Sequence, residues 1–184
     1  MTAPDGDIWI FGYGSLMWRP NFPHAETRPA LLRGYHRALC IYSVEYRGTY
    51  ERPGLVFGLD RGGSCRGLAF RVLEKDVKEV MNYLYEREMI TGVYLPRWRH
   101  IETTDKASKK TVLSYLFVAD PDHDQYTGKL SDDDAIKIIL QGRGKAGACI
   151  DYLTNTFEHL QELGIHDRVL ERLILKTNTV STAP

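Results

Sequence analysis

Two stretches of this sequence carry groups arranged for chemistry. The first is Phe11-Gly12-Tyr13-Gly14-Ser15-Leu16-Met17-Trp18. Glycines on both sides of a tyrosine let the backbone turn sharply and present successive N–H groups. Such a concavity suits a carboxylate or a developing oxyanion. Gly-x-Gly turns also end many strands that bind nothing, so the turn alone leaves both readings open. The second stretch holds Glu88. At about 100° per residue, this carboxylate continues the helical stripe of Val77, Met81 and Leu84, while Glu79 and Glu86 point to the polar side. A carboxylate on an apolar face is costly unless it is paired, hydrogen-bonded or protonated. Desolvation there raises its pKa toward neutrality, which suits a general base. The competing reading has Glu88 at the helix end, reaching water or pairing with a nearby arginine.

Other motifs match chemical patterns in letters only. Gly142-Arg-Gly-Lys-Ala-Gly147 spells a dinucleotide fingerprint, but a helical pattern precedes it where a strand is needed, so it reads as a helix–helix connection. Ala146 stands where a phosphate-binding loop needs Ser or Thr after Gly-Lys. Asp120-Pro-Asp122-His123-Asp124 lacks the glycine and glutamate of a calcium loop, and reads as a solvated turn. The six histidines show no HxH or HExxH spacing, so no metal ligand is assigned, and no GxSxG elbow marks a serine hydrolase.

The elements that must hold these groups follow from periodicity. Ile8–Phe11 and residues 31–43 read as strands. Leu55–Leu59 and Gly67–Val72, around the Gly-rich Asp60–Ser64, read as a hairpin. Residues 75–89 change period to an amphipathic helix. Val93–Glu102 and Thr111–Ala119 return to strands, with a charged turn at Lys106–Lys110. Three helices close the chain. One is capped by Ser131 and ends near Gly142, one carries Ile150 to Leu160 and stops at Gly164, and one follows Asp167. Residues 176–184 read as a frayed polar tail. Strands first and helices later indicate an α+β fold, a mainly antiparallel sheet or small β-barrel with flanking helices.

Composition narrows the class. A length of 184 residues fits a single domain, 1–184. Lys plus Arg and Asp plus Glu are 24 each, so the net charge is zero and no nucleic-acid partner is expected. No apolar run approaches the ~20 residues of a membrane span, and no membrane partner is expected. Cys40, Cys65 and Cys149 have no motif spacing, and the MTAPDGD start lacks a signal-peptide pattern, so a cytoplasmic location is expected.

Together the motifs resemble the gamma-glutamylcyclotransferases of the ChaC type, which act on glutathione. The resemblance runs through Trp9–Trp18, Leu32-Arg-Gly-Tyr35, Gly63-Ser-Cys-Arg-Gly67, Tyr83-Leu84-x-x-Arg87-Glu88, Met89-x-x-Gly-Val-Tyr94, Tyr126-x-Gly128 and Asp151-Tyr152-Leu153. One departure stands out. The family's Ser-Gly-x-Asn ahead of the late Tyr-Leu is Ala146-Gly147-Ala148-Cys149 in this chain.

The resemblance implies cleavage of a gamma-glutamyl amide by its own alpha-amino group, giving 5-oxoproline and cysteinylglycine from glutathione, with no cofactor. Glu88 is then the catalytic base, and Tyr13, Gly14, Ser15 and Leu16 hold the gamma-glutamyl part. Tyr152 either donates a hydroxyl hydrogen bond to substrate or packs as a helix tyrosine, and Arg37 either meets a substrate carboxylate or faces solvent. A monomer is expected. Two alternatives stay open: a cyclotransferase for another gamma-glutamyl amine or peptide, and a non-catalytic gamma-glutamyl binding module.

Overall fold

A computed structural model describes residues 4–104 and 109–181. The charged turn expected at Lys106–Lys110 falls largely outside the described residues. The fold is α+β, with five strands in a closed barrel of order β1-β3-β2-β4-β5. These are β1 (Ile8–Gly12), β2 (Glu26–Ser43), β3 (Gly54–Val72), β4 (Tyr94–Thr103) and β5 (Thr111–Ala119). Pairing is antiparallel for β1–β3, β2–β4 and β4–β5, and parallel for β1–β5.

The chain divides into two compact units, residues 1–37 with 58–123, and residues 38–57 with 124–184. The core of the first unit is built from Ile8, Ile10 and Phe11 of β1, Leu32 of β2, Leu59 and Phe70 of β3, Ile101 of β4 and Leu116 of β5. Helix α1 (Glu74–Glu88) adds Val80 and Leu84, two positions of the expected apolar stripe. Val77 and Met81 of that stripe are half-buried, and Glu79 and Glu86 are exposed as the helical phase requires.

The amino end of α1 has no side-chain cap of its own at Leu73. Asp7, ahead of β1, supplies one instead. Its Oδ1 accepts from the Glu74 N–H at 3.0 Å, and its Oδ2 accepts from Arg71 Nη1 at 2.7 Å. A carboxylate at a helix amino end also meets the positive end of the dipole. Arg87 in the last turn complements the opposite end.

The expected hairpin at Asp60–Ser64 does not form. β3 runs unbroken from Gly54 to Val72. Gly62 and Gly63 have φ of +95° and +66°, a conformation open to glycine that kinks the strand without reversing it. Two glycines between apolar runs serve a bent strand as well as a turn, and only partner strands decide between them.

In the second unit, α2 (Asp132–Gln141) begins as expected, with the Ser131 hydroxyl accepting from the Asp134 N–H at 3.2 Å. Helix α3 (Cys149–Glu162) ends ahead of Gly164, whose φ is +64°. The Ile165 N–H then bonds Leu160 O at 2.8 Å, the backbone reversal that stops many helices. Helix α4 (Arg168–Ser181) carries helical backbone into the stretch expected to fray, and residues 182–184 lie outside the described residues. Thr177 is buried there, and Arg172 and Lys176 both pair with Asp132 of α2, at 2.7 and 2.9 Å.

The Gly142–Gly147 motif connects α2 to α3 through two short paired strands, β6 (Arg143–Gly144) and β7 (Gly147–Ala148). Its glycines answer to packing. A Cβ on Gly142 would stand 2.6 Å from Gly54 Cα, and one on Gly144 would stand 2.6 Å from the Tyr46 carbonyl carbon. The strands lie directly on the 43–54 segment, where the Lys145 and Ala146 N–H groups bond Glu45 O and Tyr46 O at 3.0 and 2.8 Å.

Candidate active site

The Tyr13–Leu16 turn begins where β1 ends. Residues Ser15–Met17 form a short 3-10 turn after Gly14, with the Met17 N–H bonded to Gly14 O at 2.9 Å. Tyr13, Gly14 and Leu16 are buried, and Ser15 is half-exposed, so the turn offers one accessible side chain. Ser15 and Leu16 precede its first internal hydrogen bond, leaving their N–H groups to other acceptors.

Arg37 of β2 anchors the turn from behind. Its Nε donates to Tyr13 O at 2.6 Å and its Nη2 to Arg66 O at 2.7 Å. The side chain is buried, so the solvent-facing expectation is corrected. A buried guanidinium is tolerated because peptide carbonyls replace its hydration.

Glu88 is the last residue of α1, and its side chain keeps 19% of its surface exposed. Burial pushes its pKa above the ordinary carboxylate value of 4.5, and the Arg87 charge pulls against that rise. Glu88 is therefore both desolvated and paired with an arginine.

The pairing partner was part of the motif but had no assigned role. Arg87 Nε lies 3.2 Å from Glu88 Oε1. Its Nη2 donates to Ser15 Oγ at 3.0 Å. Its Nη1 donates to Arg19 O at 2.7 Å, to Tyr83 Oη at 2.8 Å and more weakly to Pro20 O at 3.4 Å. One guanidinium thus links the Gly-rich turn, the chain just after it and the candidate base. The available signal was a basic residue in the last turn of a helix, common enough to read as a dipole partner alone.

Tyr152 belongs to the second unit. Its hydroxyl oxygen accepts from the Phe57 N–H at 3.4 Å, and the Arg47 guanidinium carbon lies 5.5 Å from its ring centre. Cys149, at the departure noted above, is buried at the start of α3. Its sulfur accepts from the Leu55 N–H and donates to Leu55 O, each at 3.1 Å. Burial raises its thiol pKa to about 11. The Asp120–Asp124 segment is a turn, with Asp120 Oδ1 accepting from the Asp122 N–H at 3.1 Å. His123 Nε2 lies 2.9 Å from Thr91 O. Among the described residues, no three His, Cys, Asp or Glu side chains gather as metal ligands. No described helix is long and apolar enough to cross a membrane.

The ChaC-like protein family model matches residues 8–180. A glutathione-specific gamma-glutamylcyclotransferase of Escherichia coli is 36% identical over 171 residues, covering 93% of this chain and 73% of its own length. A mouse glutathione-specific gamma-glutamylcyclotransferase 1 is 33% identical, covering 96% of this chain and 82% of its own. The crystal structure of a yeast gamma-glutamyl cyclotransferase specific to glutathione superimposes with a TM-score of 0.86 at 20% identity, covering 95% of this chain and 97% of that one.

Proposed function

Because the chain belongs to the ChaC-like family, we propose that it is a glutathione-specific gamma-glutamylcyclotransferase with Glu88 as its base. The observation that carries this reading is the Arg87 guanidinium, which ties Ser15 of the Gly-rich turn to the Glu88 carboxylate. The relatives named for glutathione support the substrate.

In this reading, the turn from Tyr13 to Leu16 holds the gamma-glutamyl part through backbone N–H groups and the Ser15 hydroxyl. Glu88 takes a proton from the substrate alpha-ammonium. The freed nitrogen attacks the gamma-carbonyl carbon, and a five-membered lactam ring closes through a tetrahedral intermediate. N–H donors from the turn stabilise the oxyanion. The bond from the gamma-carbonyl carbon to the cysteinyl nitrogen then breaks as Glu88 returns the proton to that nitrogen, and the ring nitrogen gives up its second proton, leaving a neutral lactam and a cysteinylglycine ammonium. No water is consumed. Holding the chain in its cyclic pose contributes up to ~7–11 kcal/mol by proximity. A desolvated carboxylate fits the base role, because a pKa nearer neutrality strengthens proton abstraction.

The match across residues 8–180 supports reading both units as one catalytic domain. Cysteines scattered without motif spacing support a cytoplasmic setting. The test is incubation with glutathione and detection of 5-oxoproline and cysteinylglycine. A panel of gamma-glutamyl amines and alpha-linked glutamyl dipeptides defines the substrate range. Alpha-linked peptides are expected to be inert, because they cannot close the same ring. Release of free glutamate, or glutathione binding without turnover, would refute the reading.

A further inference from the structure

Resting on the assignment of Glu88 as base, we infer that Arg87 is a positioning residue that holds the Gly-rich turn and the carboxylate in one fixed arrangement. Its planar fork spreads its donors over five acceptors: Ser15 Oγ, Tyr83 Oη, Arg19 O, Pro20 O and Glu88 Oε1. Three of these acceptors lie in the turn or just after it, and two lie on α1. The turn and α1 are far apart in sequence, and this one guanidinium joins them.

The guanidinium is itself restrained. The Tyr83 ring lies under it, 5.9 Å from the guanidinium carbon to the ring centre, and packs against Phe22 at 6.4 Å. Lysine cannot replace it, because one ammonium has three donors radiating from a single point.

The second part of the role is electrostatic. Among the described residues, Arg87 is the cation paired with Glu88. The other titratable group on the same guanidinium is the Tyr83 phenol of α1, while the turn side contributes a hydroxyl and peptide carbonyls. Arg87 therefore favours the ionised carboxylate that burial disfavours.

The test compares wild type, Arg87→Gln and Arg87→Lys in kcat/KM for glutathione across pH, with the Glu88 carboxyl titrated by carbon NMR in each protein. In Arg87→Gln, kcat/KM near neutrality is expected to fall about 10–100-fold, the scale of a misplaced catalytic group. Its acid limb should also move to higher pH. In Arg87→Lys the limb should stay near wild type while the rate still falls about tenfold, separating charge from geometry. A role in stability alone would lower the amplitude at every pH without moving the limb. Folded Arg87→Gln with an unmoved limb and an unmoved Glu88 resonance would overturn the inference, as would Arg87→Lys with wild-type kcat/KM. If Arg87→Gln does not fold, Arg87→Lys decides the matter by the same criterion. Should wild type fail to turn over glutathione, the proposed function falls. The NMR titrations still decide the Arg87–Glu88 coupling in that case.

Discussion

Glu88→Gln is the perturbation that isolates the proposed chemistry. Glutamine keeps the side-chain volume and an amide oxygen that can accept from Arg87 Nε, now 3.2 Å from Glu88 Oε1. Arg87 also keeps its bonds to Ser15, Tyr83 and Arg19, so the turn should stay in place. What is lost is the capacity to accept a proton. General-base catalysis is worth ~10²–10⁴-fold, or about 2.7–5.4 kcal/mol of barrier. Turnover to 5-oxoproline should therefore fall by at least ~10²-fold, while glutathione binding by calorimetry persists. Stability should move the other way. The folded pKa of Glu88 lies above 4.5, so between that value and the raised one the native state holds more protons than the unfolded state. Wild-type stability contributed by this group is then present below 4.5 and lost as pH rises through the folded pKa. The variant has no such loss, so Glu88→Gln should gain on wild type as pH goes from 4 to 7 in thermal melts. Glu86→Gln, at an exposed position two residues away, should keep full activity. Near-normal turnover by folded Glu88→Gln, or a dead Glu86→Gln, would refute the assignment and the helical phase behind it.

Cys149 should resist a thiol reagent in the native protein at pH 8, because a thiol raised to about 11 has only ~10⁻³ of thiolate there. All three cysteines should label on denaturation, and rapid native labelling of Cys149 would contradict its buried bond to Leu55. Asp7→Ala removes the acceptor for the Glu74 N–H and the partner of Arg71, and should lower the melting temperature at neutral pH. Those contacts hold the Asp7 carboxyl below 3.8, so their contribution is present above 3.8 and lost as pH falls through the lowered value. The gap between wild type and variant should narrow there, and a gap independent of pH would count against the cap. Tyr152→Phe is expected to raise KM for glutathione if the sequence assignment is right. An unchanged KM with a lowered melting temperature would assign the hydroxyl to structure, where it accepts from the Phe57 N–H.

Local pattern made much of the architecture legible. Helical period placed α1 and put Glu86 and Glu88 on different faces, and a Ser-Asp-Asp-Asp run placed the start of α2. These are statements about neighbours three or four residues apart, which backbone geometry alone determines. The hairpin expected at Asp60–Ser64 failed because φ-positive glycines suit a bend as well as a reversal, and strand partners distant in sequence chose the bend.

For the candidate site, residue types and order by themselves determined the Gly-rich turn, the carboxylate on an apolar stripe and the likeness to a family. Tertiary structure alone decided what holds them. Arg37 reaches back 24 residues to the Tyr13 carbonyl, Arg87 reaches 72 residues to Ser15, and Asp7 caps a helix 67 residues away. A long, flexible side chain carries no signal of its partner in sequence, since its reach covers many carbonyls and carboxylates. Only closure of the barrel strands brings one particular set within about 3 Å, where a hydrogen bond forms.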